Sequence, residues 1–158
     1  MNFFPEKMDR KQLADILEEI GYLLELKGEN PFKARAYYKA ARLFREEDID
    51  PQELVESGGL SSLPGIGDAL AKKITELVRT GKLTYYKKLK ASISDGLIKI
   101  MKIPGMGPRR ANSVYRKLGI EGTQDLLHAC RSGQLAVVRG FNKELIRSIS
   151  DFLEKMDK

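Results

Sequence analysis

The chain has 158 residues, 42% of them apolar, and a formal net charge of +6. That length can bury the core of one ordinary domain or two very small ones, and no apolar run approaches the roughly 20 residues that cross a bilayer. One cysteine, Cys130, and one histidine, His128, exclude an internal disulfide framework and a Cys/His zinc site, so the fold is expected to stand on packing.

The opening Met1-Asn2-Phe3-Phe4-Pro5-Glu6 has no basic segment, long apolar stretch or small-residue cleavage site, and the expectation is a cytoplasmic protein without a membrane partner. From Asp9 to Lys27, Leu13, Ile16, Leu17, Ile20, Leu23 and Leu24 recur at helical spacing, with Gly28 placed to end the helix. Asn30-Pro31 opens a second helix, striped by Ala36, Ala40, Leu43 and Phe44, and a short third helix is predicted over Ile49 to Ser57, opened by Asp50-Pro51 and closed by Gly58-Gly59. No alternating run argues for a strand, so the fold class is all-α.

From Leu60 the chain repeats itself. Leu63-Pro64-Gly65-Ile66-Gly67 precedes a helix whose buried face is Leu70, Ile74, Leu77 and Val78; 40 residues later, Ile103-Pro104-Gly105-Met106-Gly107 precedes one with Ala111, Val114, Tyr115 and Leu118. The expected pattern is helix, tight turn, helix, twice, with a connecting helix over Lys82 to Ala91 and Asp95 as the cap before the second turn. A seam near residues 91–95 separates a domain of residues 1–91 from one of 92–158. Farther on, Leu126 to Arg131 and Lys143 to Met156 are predicted helices, and Val138-Arg139-Gly140-Phe141-Asn142 is a weaker echo of the turn, favouring a structural role.

Charge is distributed unevenly. Residues 61–120 hold 13 Lys/Arg and 3 Asp/Glu, whereas residues 1–60 hold 9 and 13 and residues 121–158 hold 6 and 6. A block this lopsided repels itself unless an anion lies against it, and nucleic acid is the natural candidate. The two turns suit that ligand. A tight Pro-Gly turn leaves the first amides of the following helix unpaired and aimed outward, where the positive end of the helix dipole also lies. Gly65, Gly67, Gly105 and Gly107 keep side chains out of the approach, Ile66 and Met106 turn inward to lock the hairpin, and Lys72, Arg109 and Arg110 add full charges. Contact of this kind is blind to base sequence and steeply salt-dependent.

With both hairpins placed, the chain resembles over essentially its whole length the N-terminal portion of the family X DNA polymerases, the family of DNA polymerase beta. The stretch Gly28-Glu29-Asn30-Pro31-Phe32-Lys33-Ala34-Arg35-Ala36-Tyr37 is similar to the prokaryotic branch, the first hairpin with Thr80-Gly81-Lys82-Leu83 to the small lyase domain, and residues 92–158 to the next subdomain. The resemblance implies a monomer that recognises gapped, nicked or 5′-phosphate-bearing DNA in base excision repair. It implies Na+ or K+ on backbone carbonyls of Ser61, Leu63 and Ile66, and of Met101, Ile103 and Met106, with no other cofactor required. It also implies a 5′-deoxyribose phosphate lyase in which Lys73 is the nucleophile and Lys33 and Tyr37, four residues apart on one helical face, line the phosphate pocket.

Departures weigh against the lyase. DNA polymerase beta has a histidine where Phe32 stands, and two further basic positions are Ala69 and Tyr85 here. The family's palm domain is absent, since Asp48-Ile49-Asp50 lacks following strands and reads as a helix boundary, and so is the phosphoesterase domain; nucleotidyl transfer is not expected of this chain. The alternative is a non-catalytic DNA-binding module serving a partner enzyme. A glycosylase with Asp125 as its acid is disfavoured, because Thr123-Gln124-Asp125-Leu126 reads as a helix start.

Overall fold

The computed structural model describes residues 8–156, all helices and turns; the opening segment read for a secretory signal lies outside them. The helices are α1 (Arg10–Lys27), α2 (Pro31–Glu46), α3 (Pro51–Ser57), α4 (Asp68–Thr80), α5 (Thr84–Ala91), α6 (Asp95–Met101), α7 (Gly107–Leu118), α8 (Thr123–Ser132) and α9 (Lys143–Met156). Single 3-10 turns at Leu60–Ser62 and Leu135–Val137 precede α4 and α9. The all-α architecture follows the apolar periodicity. Among the described residues no polar or charged residue is buried, and no helix is long and apolar enough to cross a membrane.

The helices form two compact units, and the division is not one cut in sequence. The first comprises residues 8–21 and Asn30–Lys90, the second Tyr22–Glu29 and residues 91–156, so α1 contributes to both.

In the first unit, Asp9 and Gln12 close α1 reciprocally: the Asp9 carboxylate accepts the Gln12 N–H at 2.8 Å and Gln12 Oε1 accepts the Asp9 N–H at 3.0 Å. Asn30 caps α2 through the Phe32 N–H at 2.9 Å, with Pro31 in the first turn, where its missing N–H costs nothing. Leu13, Leu17 and Ile20 of α1 and Ala34, Ala40 and Phe44 of α2 are buried. Arg10 donates to the Phe44 and Arg45 carbonyls, satisfying the end of α2. Arg45 reaches Glu18 and Asp15, both at 2.6 Å, and these partners raise its pKa further. Asp50 caps α3 and Pro51 is its first residue, as the Asp50-Pro51 opening requires.

In the second unit, Ser94 caps α6 by accepting the Leu97 N–H at 3.2 Å. Asp95, expected as that cap, is the first helical residue instead. The following Gly96 lies against the chain at Glu121, whose carbonyl oxygen would clash with any added Cβ. Asp125 sits in the first turn of α8 and is exposed, as its reading as a helix start requires. Burial raises the Cys130 thiol pKa, leaving it a poor nucleophile at neutral pH.

Candidate nucleic-acid interface

The backbone forms the same hairpin three times. The Ile66 N–H donates to the Leu63 carbonyl at 3.2 Å, the Met106 N–H to Ile103 at 2.9 Å, and the Phe141 N–H to Val138 at 3.3 Å. In each the central apolar side chain, Ile66, Met106 or Phe141, is buried. Only the second hairpin is preceded by a full helix, α6; single 3-10 turns precede the first and third, where two helix-turn-helix repeats were expected.

What separates them is the start of the following helix. Gly67 at the head of α4 and Met106 at the head of α7 provide no side-chain cap. The leading amides of both helices therefore face outward without a side-chain acceptor. In the third hairpin, Asn142 Oδ1 accepts the Leu145 N–H at 2.8 Å, occupying the donor that an anion would take. A cap of this kind contributes about 1 kcal/mol. Asn142→Ala should therefore lower the thermal stability of the second unit by about that amount while leaving DNA affinity within about twofold, a change smaller than 1.4 kcal/mol, in paired melting and anisotropy measurements.

Glycine serves the turns in two ways. Gly65 and Gly107 have φ of 82° and 71°, which a Cβ would strain, while Gly67 is extended; open space surrounds all three Cβ positions, so another backbone can come close. Gly105 also has positive φ, but its Cβ position lies 2.8 Å from Leu145 Cδ1 of α9. A Cβ there would have to displace the end of the Leu145 side chain, which packs against this turn.

The expected cations are not equivalent. Lys72 is exposed on α4. Arg109 pairs with Glu25 at 3.2 Å while remaining mostly exposed. Arg110 spends two donors on backbone, Nε on the Gly140 carbonyl and Nη1 on the Gly105 carbonyl, both at 3.2 Å. Tyr115, expected on the buried face of α7 beside Ala111 and Val114, is 42% exposed. Eight residues after Gly107, the first of α7, it is exposed on the same helix as the two arginines.

In the first unit a smaller cluster forms around Lys73. Its ammonium lies 4.7 Å from the centroid of the Tyr85 ring, and Tyr85 stacks parallel to Tyr37 with centroids 6.3 Å apart. Tyr37 is buried, and burial first, then Tyr85, pushes its hydroxyl pKa well above the ordinary 10. Tyr85, which carries no charge at a position basic in DNA polymerase beta, joins Lys73 to Tyr37 through its ring. Lys33 is exposed one turn from Tyr37, and Phe32 before it is 72% exposed beneath the Arg35 guanidinium, 5.2 Å from the ring centroid. On the far side of α5, Tyr86 donates to the Glu19 carboxylate, and burial together with that bond raises its pKa. Among the described residues no group of three His, Cys, Asp or Glu side chains is placed to hold a metal ion.

This architecture defines a tandem helix-hairpin-helix protein, and sequence comparison agrees: residues 8–83 match the helix-hairpin-helix domain and residues 97–155 the SAM-like helix-hairpin-helix tandem. The second match contains both the uncapped hairpin of α7 and the self-capped one of α9. Over 151 residues the chain is 32% identical to the DNA polymerase/3'-5' exonuclease PolX of Bacillus subtilis (strain 168), covering 96% of this chain and 26% of that relative. The chain is thus similar to the N-terminal part of that polymerase and spans about a quarter of its length.

Proposed function

We propose that this chain binds DNA through its sugar-phosphate backbone, as the N-terminal part of a family X polymerase, and that it recognises gaps or nicks during base excision repair. The observation that carries this reading is the contrast among the three turns: two leave helix N-termini uncapped beneath open glycines, and the third caps itself. Unpaired amides at a helix start are strong, charge-assisted donors to phosphate. The first turn holds the 5′-phosphate side of the gap, with Lys72 and Lys33 supplying charge, and the second holds the strand ending in the 3′-hydroxyl.

Asp68 adds a sharp test. It opens α4, with Ser61 Oγ at 3.3 Å, and its negative charge favours the helix but opposes an incoming phosphate. Asp68→Asn should bind DNA about two- to fivefold more tightly while melting slightly earlier, since a charge at a helix end contributes about 0.3–1 kcal/mol. Weaker binding by this variant, measured by anisotropy, would remove phosphate from the first turn.

The carbonyls of Ser61, Leu63 and Ile66, and of Met101, Ile103 and Met106, suit a monovalent cation: they are neutral oxygens, and the Leu63 and Ile103 carbonyls, each accepting one N–H, retain a second lone pair. An ion there would supply positive charge beside the bound phosphate.

Lys73 is the nucleophile of a 5′-deoxyribose phosphate lyase in this reading. Its neutral amine attacks the C1′ aldehyde and loses water to give an imine; removal of a C2′ proton then breaks the C3′–O bond and frees the 5′-phosphorylated strand. The Tyr37–Tyr85 pair supports the reading by fixing the side of α4 on which the amine lies. Borohydride should trap a covalent adduct on gapped DNA carrying the 5′-sugar phosphate, and Lys73→Ala should abolish it. Trapping that persists in the variant removes Lys73 from the role, and no trapping in either protein leaves a non-catalytic module that holds DNA for a partner enzyme.

A further inference from the structure

We infer that Arg110 is a positioning residue that braces the second turn against the third, rather than a ligand of phosphate. The inference rests on the DNA-binding reading above, but its first readout requires no DNA. Arg109 and Arg110 are adjacent in the basic block, and neighbours on a helix diverge by about 100°. They part accordingly, Arg109 to Glu25 and Arg110 to two carbonyls on different turns. The fork of a guanidinium suits this geometry, because Nε and Nη1 donate in fixed directions at once, one to Gly140 and one to Gly105. An ammonium on a flexible stem has no such fork.

Two further features place the third turn behind the second. Leu145 of α9 fills the space where a Cβ at Gly105 would stand. Asn142 already takes the Leu145 N–H at the third helix start, the donor an anion would need there. The self-capped hairpin is thus a rigid back plate: Leu145 supports the second turn by packing, and Arg110 ties the two by hydrogen bonds. Arg110 then acts on DNA indirectly, by holding Gly105 and the following amides in register. The arrangement explains why one of the three hairpins forfeits its anion site while keeping the hairpin fold.

The test uses Arg110→Ala and Arg110→Lys in the full chain, each checked by circular dichroism for retained helix. Without DNA, the backbone amide resonances of residues 138–142 should shift and their hydrogen exchange should quicken in both variants. On gapped DNA both should bind several-fold more weakly than the parent, with an unchanged slope of log K against log salt, because no phosphate contact has been removed; loss of one contact lowers that slope by about 1. The inference is overturned if residues 138–142 are undisturbed in Arg110→Ala, if the salt slope falls by about one, or if lysine restores binding. Failure of the parent chain to bind any DNA would instead defeat the proposed function, while the amide shifts would still decide whether the brace exists.

Discussion

Alanine at both Gly65 and Gly107 is expected to weaken DNA binding by about a hundredfold, the equivalent of about 2.8 kcal/mol. Each residue has positive φ, where a Cβ costs about 1–2 kcal/mol, so each turn must either bear that strain or relax. Relaxation turns the leading amides of α4 or α7 away from their outward direction, and a hydrogen bond to a charged partner contributes about 1.5–3 kcal/mol. Strain and binding are separable here. Gly81 and Gly119, which end α4 and α7, have φ of 74° and 69° and equally open surroundings. Alanine at those two positions should cost similar stability, read by thermal melting, but leave the DNA anisotropy titration in place. Equal loss of binding in both pairs of variants would mean that destabilisation, not the turns, is being measured.

Gly96→Ala should give the largest stability change in the second unit. The added methyl would clash with the Glu121 backbone oxygen, and neither partner is a flexible side chain that can swing aside. Either α6 or the chain leading into α8 must shift, and overpacking of this kind costs about 1–3 kcal/mol, here toward the upper end or beyond. A fall in melting temperature of about 10 °C is expected at the several degrees per kcal/mol usual for small domains. Gly122→Ala is the matched control, since nothing lies within 4 Å of its Cβ position and its φ of −133° suits any residue. A Gly96→Ala protein that melted with the parent would show that α6 and the 121 segment do not pack as described.

The helices were legible because local chemistry announces them. Asn30-Pro31 is both a cap and a first-turn proline, Gly81 and Gly119 end their helices in the left-handed region, and the apolar stripes of α1 and α4 fall on the buried side. The turns were legible for the same reason, since proline, glycine and a buried apolar residue recur at one spacing. Boundaries slipped where two residues could serve, as with Ser94 and Asp95.

What stayed hidden depends on contacts between elements. Nothing in Ser94-Asp95-Gly96 signals that the glycine abuts Glu121, and a lone Gly105 does not disclose Leu145 forty residues on. Arginines 109 and 110 look alike in sequence, yet one meets a carboxylate and the other two carbonyls, because adjacent helical positions face different neighbours. Tyr85 was weighed by the charge it lacks; its ring over Lys73 emerges only when α5 packs beside α4. The same holds for Tyr115, whose amphipathic spacing places it at the margin of the buried face, where the amount of covering structure decides exposure.

The most direct measurement follows the backbone amides of the whole chain during titration with a gapped duplex bearing a 5′-phosphate. The account predicts that the amides at the starts of α4 and α7 move together with increasing DNA, and that the Leu145 amide, already taken by Asn142, stays where it was. Movement confined to other surfaces, with both uncapped turns silent, would contradict it.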